Sequence, residues 1–282
     1  EDFRRLLVVC PAHLRENWQL ELQRRFGVEA EISTARDLHS ALERARDHKN
    51  SSFAKIISFQ GVLAPRHWQD RDKDTPNNRT RAELARFLYE IEEDDPIIDL
   101  LIVDEAHYLR NRESLTSKTG RLLAEAADRM LLLSATPIML GSENLWALLN
   151  LLEPNTFENE YAFREILEDN SPLVKAWDIL LRNTNPDREE LKRLFDQAAR
   201  SPLMMDNRQV ASAVKALSTE SDFSRNGSHS KLIRITEGAN LLSKVVNRTR
   251  KRDVQEARVE RSVRTFRVEL NAQERDLYQR VI

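Results

Sequence analysis

The sequence predicts an α/β fold, in which a parallel sheet carries helices on its faces and a helical region follows. In the first half of the chain, short apolar runs rich in β-branched residues alternate with amphipathic helical stretches, a pattern typical of parallel sheets. After Pro137 the strand-like runs cease, and helical periodicity dominates from residue 143 to about residue 254. The chain has 282 residues, of which 40% are hydrophobic, so it can bury a sizeable core.

The individual elements follow from the spacing of apolar residues. Between the first two strands, apolar residues recur every four positions and predict a helix that packs on the sheet. A charged segment with two prolines at 64–78 predicts a surface insertion, and a helix follows at 81–93. The apolar face of the first helix contains Leu14, Trp18, Leu22 and Phe26. The strands are expected at 6–10, 28–32, 54–59, 97–103 and 130–134.

The end of the chain has the pattern of a new structural unit. Residues 264–270 alternate in polarity like a strand, and residues 272–282 have the pattern of a helix. We therefore predict a sheet region at 1–140, a helical subdomain at 141–262 and the start of a further unit at 263–282.

The composition excludes several classes of protein. The longest apolar runs fall far short of the roughly 20 residues that a membrane helix needs, and no signal peptide opens the chain. Cys10 is the only cysteine, which excludes an internal disulfide or a cysteine-built zinc site and favours a reducing compartment, the cytoplasm. The net charge of -2 conceals 32% charged residues, so any surface for nucleic acid must be local.

The strongest chemical signal is the pair Asp104 and Glu105, which follows the apolar run at 97–103. Ligands of open α/β sheets bind at the carboxyl ends of the strands. A Mg²⁺ ion that carries a nucleoside triphosphate prefers hard oxygen ligands and keeps several waters, so a single aspartate such as Asp104 suits it. Neighbouring side chains diverge, which leaves Glu105 free to orient and deprotonate a water that attacks the γ-phosphate. The alternative interpretation is an exposed acidic turn.

A second strand, at 130–134, ends in small hydroxyl residues and a proline. The hydroxyl groups of Ser134 and Thr136 could hydrogen-bond to His107 or to the acidic pair, and so register the state of a bound nucleotide. By itself this segment is equally typical of an ordinary strand end. Its position after the acidic motif favours the functional interpretation.

With these two motifs, the sequence resembles the superfamily 2 helicase-like ATPases, and among them the SWI/SNF-type double-stranded DNA translocases and their bacterial relatives. Residues 8–14, together with Asn17 and Trp18, are similar to motif Ia of that family. Residues 145–154 resemble a segment that this group carries after its Ser-Ala-Thr motif. Residues 246–254 resemble the basic block that precedes its second lobe.

The resemblance implies the first, RecA-like lobe of a motor that uses ATP and Mg²⁺. It implies that Asp104 binds the metal, that Asp104, Glu105 and His107 are catalytic, and that hydroxyl groups couple the nucleotide state to movement. Those hydroxyl groups belong to Ser134 and Thr136. The implied partner is double-stranded DNA, which this family contacts through its phosphate backbone. The residues expected at the nucleic acid are Pro11, Ala12, His13, Ser58, Arg110, Asn111, Arg248 and Arg250. The basic cluster that contains the last two arginines is equally typical of a solvated helix end.

A phosphate-binding loop is missing from the sequence. Such a loop needs a glycine-rich turn followed by lysine and a hydroxyl residue, so that backbone N–H groups and the lysine hold the phosphates. None of the 6 glycines precedes a lysine. We expect the P-loop segment and the second lobe to belong to a longer parent protein, and this chain alone to be inactive. We also expect the sheet to lack a central strand and to expose unpaired backbone on both sides of the gap.

Two other functions fit the same residues. An RNA-directed or RNA polymerase-associated ATPase of the bacterial branch suits the Ser-Ala-Thr-Pro form and the Leu140-Gly141-Ser142 continuation. If the absence of the P-loop is a true loss, the chain is a catalytically inactive scaffold or regulatory module. Comparing stimulation by duplex DNA, single strands and RNA would separate the two kinds of motor.

Overall fold

The chain divides into two compact units, Glu1–Leu241 and Leu242–Ile282. In the described part of the second unit, the N–H groups of Val245 and Val246 donate to the carbonyl of Leu242. The first unit contains the sheet and the helices discussed below. The computed structural model describes residues 3–92, 95–134, 142–182, 186–219, 228–243 and 245–246.

The first unit is built on a five-stranded sheet in which every strand is parallel to its neighbours, in the order β2-β3-β1-β4-β5. Each strand predicted from the sequence has a counterpart, which confirms the α/β class with a parallel sheet. The second strand is shorter than predicted, and the fifth begins earlier. The strands are β1 Arg5–Cys10, β2 Glu31–Ile32, β3 Phe53–Ser58, β4 Ile98–Val103 and β5 Ala127–Leu132.

The sheet is continuous through these strands. β1 lies at its centre and pairs with β3 on one side and β4 on the other. The prediction of a gap left by a missing central strand is therefore wrong for the described strands. Strand order depends on long-range pairing, which the order of motifs along the chain does not encode. β5 forms an outer edge of the sheet, where Leu131 is 45% exposed.

Helices cover both faces of the sheet, as predicted. Successive strand residues point to opposite faces, so Val8 and Cys10 pack with α1, whereas Leu7 and Val9 pack with α2, α4 and α5. The helices are α1 Arg15–Phe26, α2 Ala35–Asp47, α3 Phe59–Val62, α4 Arg79–Tyr89, α5 Leu115–Glu125, α6 Ser142–Leu152, α7 Glu160–Arg182, α8 Arg188–Ala199, α9 Arg208–Thr219 and α10 Ser228–Ala239. Short 3₁₀ helices span Ala12–Leu14, Arg71–Lys73 and Ala106–Leu109.

Helix α1 buries less of its predicted apolar face than the spacing indicated. Leu22 is buried, and Leu14 and Trp18 pack partly buried against the sheet. Phe26 is 71% exposed, so its assignment to the packed face is wrong. It is the last helical residue, and Gly27 follows in the left-handed region with φ 66°, which ends the helix and turns the chain away.

The helices after the sheet form a second apolar core. Helices α7 to α10 share this core, which includes Leu173, Phe195 and Leu232. Helix α6 instead adds Leu148 and Leu151 to the core under the sheet. The predicted division between a sheet region and a helical subdomain stays a prediction. Within the described ranges, no helix is both long enough and apolar enough to cross a membrane.

Candidate active site

Several predicted site residues in the described ranges lie at one edge of the sheet, because parallel strands end on the same side. The strand register aligns Cys10 with Ser58, and Val103 with Leu132. Pro11, Asp104 and Leu133 each follow directly after one of these aligned strands, and Ser134 comes next. The sheet therefore brings Pro11, the acidic pair and Ser134 to a common edge.

The carboxylate of Asp104 is held at both oxygens. Oδ1 accepts a 2.8 Å hydrogen bond from the backbone N–H of Glu105, and Oδ2 accepts a 2.8 Å bond from Nε1 of Trp18. The backbone N–H of Asp104 donates to the carbonyl of Val9 at 2.9 Å. This half-buried carboxylate is thus oriented by two donors and offers the hard oxygen ligands that Mg²⁺ prefers. The residues present fit a hydrated Mg²⁺ ion.

Glu105 adopts a backbone conformation that L-residues rarely occupy. Its φ of 52° and ψ of 45° lie in the left-handed region, and among the described non-glycine residues it alone has positive φ. This turn directs the Glu105 side chain toward His107, so that Oε2 lies 3.1 Å from Nδ1. Nδ1 is buried and makes no hydrogen bond within the described part of the chain. The carboxylate of Glu105 therefore lies close to this ring nitrogen without the alignment of a hydrogen bond.

The acidic motif is tied to the strand that precedes the hydroxyl segment. The N–H of Leu133 donates to the carbonyl of Val103 at 2.8 Å, and the N–H of Ala106 donates to the carbonyl of Leu133 at 2.8 Å. Leu133 is thus hydrogen-bonded to Val103, just before the acidic pair, and to Ala106, just after it. Ser134 is the next residue in the chain. Thr136, the second predicted coupling residue, lies outside the described residues.

The predicted nucleic-acid contacts differ in exposure. Ala12 and His13 are exposed in a 3₁₀ helix, and Arg110 and Asn111 are exposed after the acidic motif. Ser58 is buried instead, where its hydroxyl group caps α3 by accepting a 3.1 Å hydrogen bond from the N–H of Gly61.

The remaining predicted nucleic-acid contacts are Pro11, Arg248 and Arg250. Pro11 is buried at the start of the 3₁₀ helix that carries Ala12 and His13. Arg248 and Arg250 lie outside the described residues, as does the region predicted at 263–282.

The negative charge of Asp104 affects the pKa of the Cys10 thiol. Burial and, to a smaller extent, the negative charge of Asp104 raise the pKa of the Cys10 thiol to about 11, against an opposing effect of the positive charge of Arg15. The thiol is fully buried at the end of β1. It therefore remains protonated and unreactive at neutral pH.

The segment predicted after the hydroxyl motif packs beside the site through Trp146. The guanidinium group of Arg112 lies 4.6 Å from the centroid of the Trp146 ring. Nε1 of Trp146 donates a 2.8 Å hydrogen bond to the carbonyl of Phe157, which also accepts from Asn150 at 3.1 Å. The Arg112 contact attaches α6 to the loop that follows the acidic motif, and the two hydrogen bonds attach α6 to the loop between α6 and α7.

Two features of the site were missed by sequence reasoning. Trp18 was assigned to the apolar face of a helix and to motif Ia, but its hydrogen bond to Asp104 was not predicted. His107 stacks on Tyr108 with ring centroids 4.6 Å apart, and Tyr108 contacts Phe59 at 5.2 Å. Aromatic residues at the ends of two predicted strands were the available signal for this second group.

Comparison with known proteins identifies relatives of the chain. A family model described as the SNF2-related domain matches residues 2–282. The RNA polymerase-associated protein RapA of Cronobacter sakazakii (strain ATCC BAA-894) is 30% identical over 195 residues, which cover 68% of this chain and 18% of that protein. The solved Sulfolobus solfataricus SWI2/SNF2 ATPase core in complex with dsDNA has a TM-score of 0.37 and 14% identity, covering 84% of this chain and 54% of that one. The chain thus spans a small part of the length of RapA.

Proposed function

The chain belongs to the SNF2-related family, and on this basis we propose that it is part of an ATP-dependent motor that moves along double-stranded DNA. The observation that carries the proposal is the geometry of the acidic pair. Asp104 is oriented at the carboxyl edge of a parallel sheet, and Glu105 turns away from it toward His107. Two adjacent carboxylates with different orientations suit two different tasks.

In this proposal Asp104 would hold the Mg²⁺ that accompanies ATP, and the cation would supply positive charge next to the phosphates. Glu105 orients the attacking water and accepts its proton. His107, 3.1 Å from the Glu105 carboxylate, restricts the orientation of that side chain. Ser134 and Thr136 relay the state of the nucleotide to the surfaces that contact DNA. In this proposal, a phosphate-binding loop and a second lobe, which hydrolysis requires, would act together with these residues.

The proposed DNA surface consists of exposed residues near the same edge. Ala12 and His13 present the end of a 3₁₀ helix, and Arg110 and Asn111 follow the acidic motif. Arginine, amide and backbone donors of this kind bind phosphate oxygens without reading the sequence. Binding through them would therefore weaken steeply with salt. Pro11, Ser58, Arg248 and Arg250 remain further candidates, and cytoplasm is the compartment that we propose.

A second candidate function is a motor that acts with RNA polymerase or on RNA. It is favoured by the 30% identity to a protein named for its association with RNA polymerase. The same acidic pair would serve it, so the two candidates differ in the partner and not in the chemistry. A third candidate, a scaffold without catalysis, rests on the absence of a glycine-lysine loop from the sequence.

ATP hydrolysis by the full-length protein tests these candidates directly. We expect duplex DNA to stimulate hydrolysis more than single strands or RNA, and Glu105→Gln to lower the stimulated rate by roughly 100-fold or more. Glu113→Gln is the matched control, because Glu113 is exposed and pairs with Lys118 at 3.2 Å. Equal stimulation by RNA, or stimulation only with RNA polymerase present, would favour the second candidate. Hydrolysis that survives Glu105→Gln would exclude the proposed catalytic role.

A further inference from the structure

Trp18 connects the exposed start of motif Ia to the carboxylate of Asp104. Its Nε1 donates a 2.8 Å hydrogen bond to Oδ2 of Asp104, across 86 positions of sequence. An indole group has one polar hydrogen and no acceptor. The bond therefore commits the only polar atom of this side chain to the residue that we propose as the metal ligand.

The position of the Trp18 ring is determined by packing. The ring lies partly buried against an apolar cluster that includes Val8, Cys10, Leu22 and Ile102. These side chains come from α1 and from the strands on which it packs. Because Trp18 belongs to α1 and its ring is packed, a displacement of the helix changes the geometry of the hydrogen bond to Asp104.

Helix α1 is continuous with the segment that presents the exposed residues. The 3₁₀ helix Ala12–Leu14 leads directly into α1, and the N–H of Leu14 donates to the carbonyl of Pro11 at 2.9 Å. Nε of Arg15 donates to the carbonyl of Ala12 at 3.0 Å. Local hydrogen bonds thus join the exposed segment to the start of α1. Trp18 lies near this end of the helix.

We propose that Trp18 is a positioning residue that transmits binding of a phosphate backbone at Ala12 and His13 to the carboxylate of Asp104. This inference rests on the proposed function, because it takes Asp104 as the ligand of Mg²⁺. The neutral indole orients the carboxylate while leaving its negative charge available to a cation. A charged donor in the same place would compete with the metal.

The hydrogen bond from the N–H of Glu105 makes the orientation of the Asp104 carboxylate sensitive to a small displacement of Trp18. Oδ1 of Asp104 accepts from the backbone N–H of Glu105 at 2.8 Å, so Trp18 and Glu105 together fix the plane of the carboxylate. Removal of one donor leaves the carboxylate free to rotate about its remaining bond. Loss of a partner that orients a metal ligand typically costs 10- to 100-fold in metal affinity or activity.

Steady-state hydrolysis by the full-length protein provides the first arm of the test. Trp18→Phe retains an aromatic ring without the N–H, and benzothienylalanine at position 18 retains the bicyclic shape with sulfur in place of the N–H. For both, we expect the Mg²⁺ concentration for half-maximal rate to rise about tenfold or more, and the ratio of DNA-stimulated to basal rate to fall. Trp68→Phe is the matched control, since Trp68 packs against Tyr89. An unchanged Mg²⁺ requirement and stimulation ratio in both variants would overturn the inference.

Fluorine NMR provides a second arm that does not depend on hydrolysis. In protein labelled with 6-fluorotryptophan, the Trp18 resonance is the one that Trp18→Phe removes. We expect this resonance to shift with Asp104→Asn and on addition of duplex DNA, and to stay in place with Glu113→Gln. A Trp18 resonance that stays in place either with Asp104→Asn or on addition of duplex DNA would overturn the inference. A normal shift in a protein without ATPase activity would instead overturn the proposed function, and with it the coupling to hydrolysis.

Discussion

The backbone N–H of Ala106 donates a 2.8 Å hydrogen bond to the carbonyl of Leu133. This bond joins the acidic motif to the end of β5, two segments that are separated in sequence by the whole of α5. Because both segments leave the sheet at its carboxyl edge and are joined by this bond, a rearrangement of one segment displaces the other. The proposed transfer of information between nucleotide and nucleic acid depends on such links.

The left-handed backbone of Glu105 predicts opposite effects on stability and activity. Glycine adopts φ 52° without the Cβ clash, so Glu105→Gly should raise the free energy of unfolding by up to about 1 kcal/mol. It should also abolish ATP hydrolysis by removing the carboxylate. Urea denaturation and ATPase assays check the two effects, with Glu105→Gln as the control that loses activity at unchanged stability. A less stable glycine variant would contradict this account of strain.

The ionised carboxylate of Asp99 should stabilise the folded state at neutral pH, and this stabilisation should be lost in acid. Burial alone raises the pKa of its carboxyl, but hydrogen bonds from the N–H of Arg4 and from the side chain and N–H of Arg5 outweigh this and hold the pKa below 3.8. The folded state therefore gains from ionised Asp99 at and above the ordinary pKa, and this gain disappears as pH falls through the lowered pKa. At pH 7, Asp99→Asn should cost about 1–3 kcal/mol.

The difference between wild type and Asp99→Asn should shrink as pH falls through the lowered pKa of Asp99, because both proteins then carry a neutral side chain at position 99. Urea denaturation at a series of pH values measures it. Asp95→Asn is the control, because Asp95 and its partner Lys49 are both largely exposed and such pairs contribute little. A pH-independent cost of Asp99→Asn would contradict the assignment.

The segment between α3 and α4 should depend on a part-buried ion pair. Nη2 of Arg86 lies 2.6 Å from Oδ2 of Asp74, both side chains are about 15% exposed, and Arg86 also donates to the carbonyl of Trp68. Arg86→Met leaves the part-buried carboxylate of Asp74 without its partner and should cost up to about 3–5 kcal/mol, the loss typical of a fully buried pair. The double variant with Asp74→Leu should recover part of this loss.

A double-mutant cycle by urea denaturation measures the coupling between Arg86 and Asp74. The exposed pair Arg79 and Glu83, 3.0 Å apart on the same helix, provides the comparison and should show a coupling below about 0.5 kcal/mol. Equal coupling energies for the two pairs would show that burial of Arg86 has no energetic consequence.

Trp146 and Asn150 should stabilise the fold by donating hydrogen bonds to the same carbonyl group, that of Phe157. Because the Phe157 carbonyl accepts from both side chains, Trp146→Phe should cost only about 1 kcal/mol for the lost bond, beyond any loss of ring contacts. Asn150→Leu added to Trp146→Phe leaves the buried carbonyl without either donor, so the double variant should lose more than the sum of the single losses. Thermal unfolding of the three variants checks this, and strict additivity would contradict it.

The thiol of Cys10 should react only after unfolding or local opening. With its pKa raised to about 11 from 9.0, roughly one thiol in a thousand is ionised at pH 8, and the side chain is fully buried. The unfolded thiol ionises near pH 9, so stability should decline as pH rises from about 9 toward 11. Alkylation with iodoacetamide at pH 8, with and without denaturant, measures the protection; Cys10→Ser removes the pH effect. Fast alkylation of the native protein would contradict this environment.

Several predictions that depended on long-range arrangement were incomplete or wrong. Phe26 continues the four-residue spacing of α1, yet it extends past the sheet into solvent. The order of the strands places β1 between β3 and β4, so the described sheet lacks the gap that we expected. The bond from Trp18 to Asp104 depends on how closely α1 approaches the end of β4. Spacing within one helix carries no information about that distance.

The amino-acid sequence by itself determined the α/β class, the approximate limits of the strands and the presence of an acidic pair at a strand end. These properties follow from local patterns, because apolar runs and helical spacing act over a few residues. The tertiary structure alone decided the strand order, the left-handed backbone of Glu105 and the partners of the Asp104 carboxylate. Each of these results from packing between segments that are distant in sequence, where many weak contacts act together and local preference has no influence.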